Sequence, residues 1–300
     1  MIEVVLASDR NLIKQAGITA IGAIGRTSLP LNFTFLTPAA DQDHADWKMV
    51  TDLVRREGAS CSLLPVTFRP STLQLAQHLT EVTYYRLLLP RLLPADLHRV
   101  IYMDCDVYVG RDLAALWNAD LAGKPLGAAR DFAFREWSRL GIDAANGYFN
   151  AGVLLLDLDS VRRRGLFDAA LKFSVEHPGA LTWSDQCALN RIFSGDWTVL
   201  PQHWNFQHSD FLEDIRRRGL RQATRAASAC VFHFNNYDRP WLVESPHPLK
   251  RQYLSVLEKY PQLDPASRPT LGQLWKWFKR TIKWRLISWS KPSGAQADAA

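Results

Sequence analysis

Cysteine is scarce in this 300-residue chain, and the four present, Cys61, Cys105, Cys187 and Cys230, never fall at Cys-x-x-Cys spacing. That argues against a disulfide framework and against a structural zinc site. No Gly-x-Gly-x-x-Gly run and no Walker-type loop occurs. A phosphate-bearing ligand would need another grip, and a metal with basic side chains is the natural substitute. Neither an internal repeat nor a membrane-spanning apolar stretch is present. The first residues, Met-Ile-Glu-Val-Val-Leu-Ala-Ser-Asp, carry no basic region and no cleavage site. They read as a first β-strand, and the chain is expected to stay in the cytosol. Acidic residues are nearly missing from positions 265–300, where seven Lys or Arg stand against Asp298 alone. This tail carries all of the net charge of +6, and residues 1–264 balance to zero. The basic character is therefore no sign of a nucleic-acid groove on the main body, and no nucleic-acid partner is expected.

What is there alternates. Ile2 to Leu6, Leu31 to Leu36 and Cys61 to Pro65 read as strands, separated by helical patterns at Leu12 to Ile24 and Ala45 to Arg56. A helix over Leu73 to Leu88 leads into an apolar strand ending at Asp104. Strands at Leu126 to Ala129 and Ala151 to Leu156, a helix at Ser160 to Glu176, and a short helix at Ser184 to Phe193 with Ser184 as N-cap follow. Later segments are short and rich in Trp, His and Asn, and carry no assignment. This order predicts an α/β fold with a mostly parallel central sheet and helices on both faces. Pro, Asp and Ser cluster at Pro261 to Thr270, which divides the chain into a domain over 1–264 and a tail over 265–300.

Chemistry concentrates at Asp104-Cys-Asp106. Side chains alternate in extended chain, so the two carboxylates point one way and Cys105 the other. Two hard oxygen ligands at the end of a buried strand suit a divalent cation that could receive a diphosphate, although a solvated turn explains the tripeptide as well. Asp9 ends the first strand, where Ala7, Ser8 and Asn11 are also placed to meet a nucleotide; capping of the next helix is the competing explanation. Arg86 is followed by three leucines, as for a core-facing helix with one charge aimed into a cleft, with a plain surface arginine as the competing explanation. Asn150 precedes a continuous apolar run, and Asp185-Gln186 opens a helix, where ligand binding competes with turn and cap chemistry. His233 leaves an apolar strand ahead of Arg239-Pro-Trp241. Joined to Asp104 and Asp106, it would complete a mixed oxygen and imidazole site of a kind that Mn²⁺ accepts.

Taken in order, Ala7-Ser-Asp-Arg-Asn11, Thr83-Tyr-Tyr-Arg86, Tyr102-Met-Asp-Cys-Asp106, Phe149-Asn-Ala-Gly152, Asp185-Gln186 and His233 to Trp241 resemble glycosyltransferase family 8 over nearly all of residues 1–242. These are retaining enzymes of the Rossmann-like GT-A fold that transfer glucose or galactose from a UDP-sugar. The resemblance implies that Asp104, Asp106 and His233 hold Mn²⁺ or Mg²⁺, which bridges the diphosphate. It places Arg86, Asp131, Asn150, Asp185 and Gln186 around the donor sugar, with Gln186 near the anomeric carbon, and Asp9 and Asn11 near the uridine. Ala7, Cys105 and Asn236 complete the residues expected against the UDP-hexose, and Arg239 is expected to stabilise the leaving diphosphate. Leu12 stands where the family often has an aromatic. Asn236 and Arg239 replace Gly and Lys of a His-x-x-Gly-x-x-Lys-Pro-Trp pattern; Asn tolerates positive φ and Arg keeps the charge. Two other readings use the same residues: a nucleotidyltransferase, and an adaptor that binds nucleotide sugar without turning it over.

In the tail, Leu271, Leu274, Trp275, Phe278, Ile282, Leu286 and Trp289 fall on one helical face, with Lys276, Lys279, Arg280 and Lys283 on the flanks. Trp277 and Trp284 sit among the charges. Such a basic, Trp-rich amphipathic helix suits the plane of an anionic membrane, with docking on the main domain as the alternative. The whole then reads as a peripheral enzyme on the cytosolic face of the inner membrane. Its acceptor would be a glycan or glycolipid, as in lipopolysaccharide core synthesis.

Overall fold

The computed structural model describes residues 1–68, 80–136, 138–235, 239–264 and 270–289. Its strands are β1 Ile2–Ala7, β2 Leu31–Pro38, β3 Ser60–Val66, β4 Arg99–Asp104, β5 Val107–Val109, β6 Leu126–Arg130, β7 Phe149–Asp157, β8 Thr198–Val199, β9 Phe206–Gln207 and β10 Val231–His233. The helices are α1 Ile13–Ile24, α2 Ala45–Arg56, α3 Leu89–Leu92, α4 Ala114–Trp117, α5 Leu158–Arg164, α6 Leu166–Glu176, α7 Ser184–Ile192, α8 His208–Arg218, α9 Leu220–Ala227, α10 Lys250–Lys259 and α11 Leu271–Trp289.

Seven strands form one sheet in the order β3-β2-β1-β4-β7-β6-β8. Only β7 runs against its neighbours β4 and β6, so the sheet is mostly parallel as expected. Alternate side chains feed two cores. Val4, Leu6, Ile101 and Met103 pack with α1 and α2 on one face. Val5, Val100, Tyr102 and Leu154 pack with α6 and α7 on the other. All but the last residue of β7 are buried, which is why its sequence reads as a continuous apolar run rather than an alternating one. The chain order turns back at β1, with β2 on one side and β4 on the other. This switch point opens a crevice at the carboxyl ends of the strands.

A second sheet, β5-β10-β9, carries the far end of the chain back to that crevice. β10 pairs antiparallel with β5 so that His233 lies opposite Val107, and the Phe234 N–H donates to Asp106 O at 2.9 Å. Residues 104–106 and 233 are thus joined through backbone pairing.

Three local expectations are corrected. The helix expected over 160–176 is two helices, because Gly165 takes φ +60 and turns the chain between α5 and α6. Ser184 is not an N-cap: it is the first residue of α7, with φ +44, and Trp183 holds the cap position. The helix expected over 73–88 is a 3₁₀ segment over Glu81–Leu88, and its first part, 73–79, lies outside the described residues. Helices α8, α9 and α10 had no assignment from sequence.

The tail forms the expected helix, but with a different residue turned inward. Trp284 is buried against His208, Phe211 and His247 beside α8. Leu271, Leu274, Trp275, Phe278 and Ile282, the expected apolar stripe, are exposed, and Trp277 with them. The side chains of Leu286 and Trp289 lie outside the described residues. Among the described residues no helix is long and apolar enough to cross a membrane.

Candidate active site

At the switch point Ala7 and Asp104 are register partners, so β1 and β4 end side by side. The chain leaves β1 through an Asx turn: Asp9 Oδ1 accepts from the Asn11 N–H at 2.9 Å. Asp9 therefore shapes this loop and does not cap α1, whose N-cap is Leu12. The loop is clamped from behind by Asp41, which accepts from the Arg10 N–H at 3.0 Å and its Nε at 2.7 Å.

Asp104, Asp106 and His233 each offer one ligand atom, and those atoms lie within 4.8 Å of one another. His233 Nε2 is 3.2 Å from Asp106 Oδ1 and 3.7 Å from Asp104 Oδ2. Burial of Asp106 opposes its ionisation, but His233 and Arg239 outweigh this and hold its carboxyl below the usual range. The same carboxylates raise His233 against the effect of its burial. The ring occupies space that only glycine leaves open: a Cβ at Gly152 would stand 2.1 Å from His233 Cε1 and 2.4 Å from Nδ1. That is the physical reason for Gly152 in the Phe149-Asn-Ala-Gly152 element. Cys105, between the carboxylates, borders the site but is buried with the core residues of α1, and burial pushes its thiol well up.

Arg86 is buried and held through all three of its nitrogens. It pairs with Asp104 Oδ1 at 3.0 Å and Asp185 Oδ2 at 2.8 Å, donates to Thr83 O and Ala151 O, and lies over the Tyr102 ring at 4.7 Å. Tyr102 donates its hydroxyl to Asp104 Oδ1 at 2.8 Å. Removing Arg86 would strand two buried carboxylates, at a cost of about 3–5 kcal/mol. Burial pushes Asp185 up to about 6 despite Arg86 and the Thr83 hydroxyl, which donates to it at 2.8 Å.

Gln186 is held at both ends of its amide. Oε1 accepts from the Ala151 N–H at 3.0 Å, and Nε2 donates to Asp131 Oδ2 at 3.2 Å. Asp131 in turn accepts from the Ala133 N–H and faces Asn150. The positive φ at Ser184 sets the angle at which Asp185 and Gln186 enter this cluster.

Two recesses share the wall made by Thr83, Arg86, Asp104, Asp106 and Arg239. One, of about 290 Å³, reaches Ala7, Ser8, Asp9, Asn11, Leu12, Tyr102 and Cys105. The other, of about 400 Å³, reaches Asp131, Asn150, Asp185, Gln186 and His233, with Trp183, His208 and Leu212 at its outer side. Arg239 stands between them, 3.9 Å from Asp106 Oδ2 and over the Trp241 ring. Its loop is fastened by Lys250 Nζ, which donates to Leu242 O, Val243 O and Ser245 O. A larger hollow of about 510 Å³ lies over the opposite ends of β1 to β3, at Glu3, Asn32 and Ser62, with no comparable convergence of groups.

The donor set suits a divalent cation. Four carboxylates in the larger recess face two guanidiniums and two imidazoles, which leaves two negative charges uncompensated when the imidazoles are neutral. Every expected site residue borders this crevice except Asn236, which lies outside the described residues.

Residues 3–245 match the model of glycosyl transferase family 8. The chain belongs to that family. It is a glycosyltransferase, of the hexosyltransferase kind expected from its motifs. It is 30% identical over 207 residues to general stress protein A of Bacillus subtilis, covering 66% of this chain and 72% of that protein. It is 24% identical over 293 residues to lipopolysaccharide 1,2-glucosyltransferase of Escherichia coli, covering 95% and 86%. A crystal structure of the galactosyltransferase LgtC in complex with donor and acceptor sugar analogues matches with TM-score 0.71 and 23% identity, over 92% of this chain and all of that one. The likeness to LgtC establishes the GT-A fold.

The sequence of this family 8 glycosyltransferase did not single out Thr83, Tyr102 or Asn205 as site residues. Thr83 and Tyr102 lie inside quoted motifs, and their spacing from Arg86 and Asp104 was the available signal. Asn205, wholly buried between Trp204 and Phe206, has no sequence signal, since short buried amides and turn amides look alike.

Proposed function

We propose that the chain is a metal-dependent, retaining hexosyltransferase that moves glucose or galactose from a UDP-sugar to a glycan or lipid-linked acceptor such as lipopolysaccharide core. The observation that carries this reading is the convergence of Asp104, Asp106 and His233 with Arg239 at the wall between two recesses. Asp104, Asp106 and His233 would hold Mn²⁺ or Mg²⁺, which supplies positive charge to the diphosphate. The recess at Ala7, Asp9, Asn11 and Leu12 would take the uridine, and Asp131, Asn150 and Asp185 the hydroxyls of the donor sugar.

Breaking the bond from the anomeric carbon leaves negative charge on UDP, and Arg239 is positioned between the recesses to receive it. Gln186 faces the sugar side with its amide fixed by Ala151 and Asp131, which suits an electrostatic partner of an oxocarbenium-like centre better than a mobile nucleophile. Arg86 is tied to the protein through each of its three nitrogens and lines both recesses, where its remaining N–H groups would meet the donor. It also orients Asp104 and Asp185.

The exposed Leu274, Trp275, Phe278 and Ile282 beside Lys276 and Lys279 support docking of α11 on an anionic membrane, at the cytosolic face. Relatives named for lipopolysaccharide glucosyl transfer and for galactosyl transfer support the substrate class. Incubation with a panel of UDP-sugars tests the reading by Mn²⁺-dependent release of UDP. Tight binding with no release, or release of pyrophosphate or UMP, would reject it.

A further inference from the structure

His233 can serve a cation through Nε2 only if its proton sits on Nδ1, so the groups facing Nδ1 decide whether the site is competent. Nδ1 lies 3.1 Å from Asn150 Oδ1 and 3.2 Å from Asn205 Oδ1. Amide oxygens and nitrogens can exchange places, so the assignment has to start from a group whose role is fixed. The Gly152 backbone N–H is such a group. It donates to the Asn150 side chain at 3.0 Å, so the atom it meets is the oxygen.

The Asn205 atom 2.8 Å from that oxygen must then be a donor, Nδ2, which also approaches the Asn150 carbonyl at 3.4 Å. The other end of the Asn205 amide, its oxygen, is the end that faces His233. Both neighbours of Nδ1 are acceptors, so once a cation sits against Asp104 and Asp106 the ring would keep its proton on Nδ1 and turn the lone pair of Nε2 to that side.

We propose that Asn205 is a positioning residue for the metal centre: it accepts from His233 Nδ1–H, fixes the Asn150 amide that does the same, and so holds Nε2 ready for a divalent cation. Asn205 is fully buried and borders neither recess, so it acts through His233 and Asn150. The inference rests on the metal reading above.

Titration with Mn²⁺ alone, followed by the electron spin resonance of the free ion, compares the wild type with Asn205→Ala and Asn205→Asp. Asn205→Ala should bind about tenfold more weakly, whereas Asn205→Asp, which keeps an oxygen for Nδ1 but loses the donor to Asn150, should fall between it and the wild type. Nitrogen-15 spectra of histidine-labelled protein saturated with diamagnetic Mg²⁺ should show His233 protonated at Nδ1 with that proton in a hydrogen bond, a signature that Asn205→Ala should weaken. A role in packing alone would leave that signature unchanged in Asn205→Ala. The proposal is overturned if the ring of the Mg²⁺-saturated wild type is protonated at Nε2, or if Asn205→Ala keeps wild-type affinity and the wild-type Nδ1–H signature. If Asn205→Ala does not fold, the wild-type spectrum and Asn205→Asp still decide. Failure of the wild type to bind Mn²⁺ would overturn the metal reading itself, and this role with it.

Discussion

Replacing Gly152 by alanine should disable the metal centre while leaving the fold standing. The backbone there is ordinary strand, so the substitution brings no conformational strain of its own. Its Cβ would meet His233 Cε1 at 2.1 Å, where ordinary contact begins at 3.4 Å, so something must move by about 1.3 Å. β7 is held immediately beyond Gly152, with Val153 opposite Met103 of β4 and Leu154 opposite Ala128 of β6, so the strand yields less readily than a side chain. The Asn150 oxygen blocks another direction, 3.0 Å from the new atom. The imidazole ring must therefore turn.

Ligand distances in metal sites hold to about 0.2 Å, so a displacement several times larger removes His233 from the ligand set. Disturbing a partner of a ligand costs about 10–100-fold in metal affinity, and displacing the ligand itself should reach at least the upper figure, about 2.8 kcal/mol. Overpacking adds about 1–3 kcal/mol to the folded state, a fall in Tm of several degrees. Calorimetric titration with Mn²⁺ and a thermal melt on one sample separate the two effects. A folded Gly152→Ala protein that binds Mn²⁺ as tightly as the wild type would refute the placement of His233 and the reasoning with it.

Asp185, at about 6 in the folded chain and 3.8 when free, takes up a proton on folding between those values. Its contribution to stability is full at low pH and is lost as pH rises from about 4 to about 6; Asp185→Asn should remove that part of the slope from a plot of Tm against pH, and an unchanged slope would contradict the assignment. Arg239→Ala should lower turnover by about 10²–10³-fold, as loss of a donor to developing charge does elsewhere, while Arg239→Lys keeps much of the rate; equal rates for all three proteins would remove Arg239 from the reaction. Trp275 and Phe278 are half exposed, so the double change Trp275→Glu, Phe278→Glu should leave Tm intact and cut binding to anionic vesicles by more than about tenfold. Unaltered sedimentation with the vesicles would count against membrane docking.

How much of this was legible in the chain depends on whether a residue's role is local. The alternation of strands and helices over 1–66 is local, and the structure reproduces it nearly residue for residue. Asp104 and Asp106 do converge, but the strand ends at Asp104 and residues 105 and 106 form a turn, so the convergence comes from that turn and not from the period of a strand. The break at Gly165 was also readable, because a glycine inside a long helical pattern offers a left-handed turn, though the hydrophobic spacing runs across it. By contrast, the 3₁₀ geometry of Glu81–Leu88 and the positive φ of Ser184 are imposed by what surrounds them. Arg86 needs its Nε at Asp185 and a terminal nitrogen at Asp104, and Asp185 must enter at that angle.

The tail shows the same division more sharply. Periodicity correctly identified a helix with an apolar stripe, and it treated Trp284 as an irregularity among charges. In the fold Trp284 meets Phe211 of α8 and His247, two residues that nothing in the tail sequence foretells, while the regular stripe is left facing outward. A hydrophobic pattern reports how much apolar surface a helix carries, and the position of its partner decides which residue is buried. The candidate metal site obeys the same rule, since His233 reaches Asp104 and Asp106 only because β10 pairs with β5 one residue beyond Asp106. Gly152 and Asn205, whose sequence neighbours give no hint of it, are what leave that ring both room and direction.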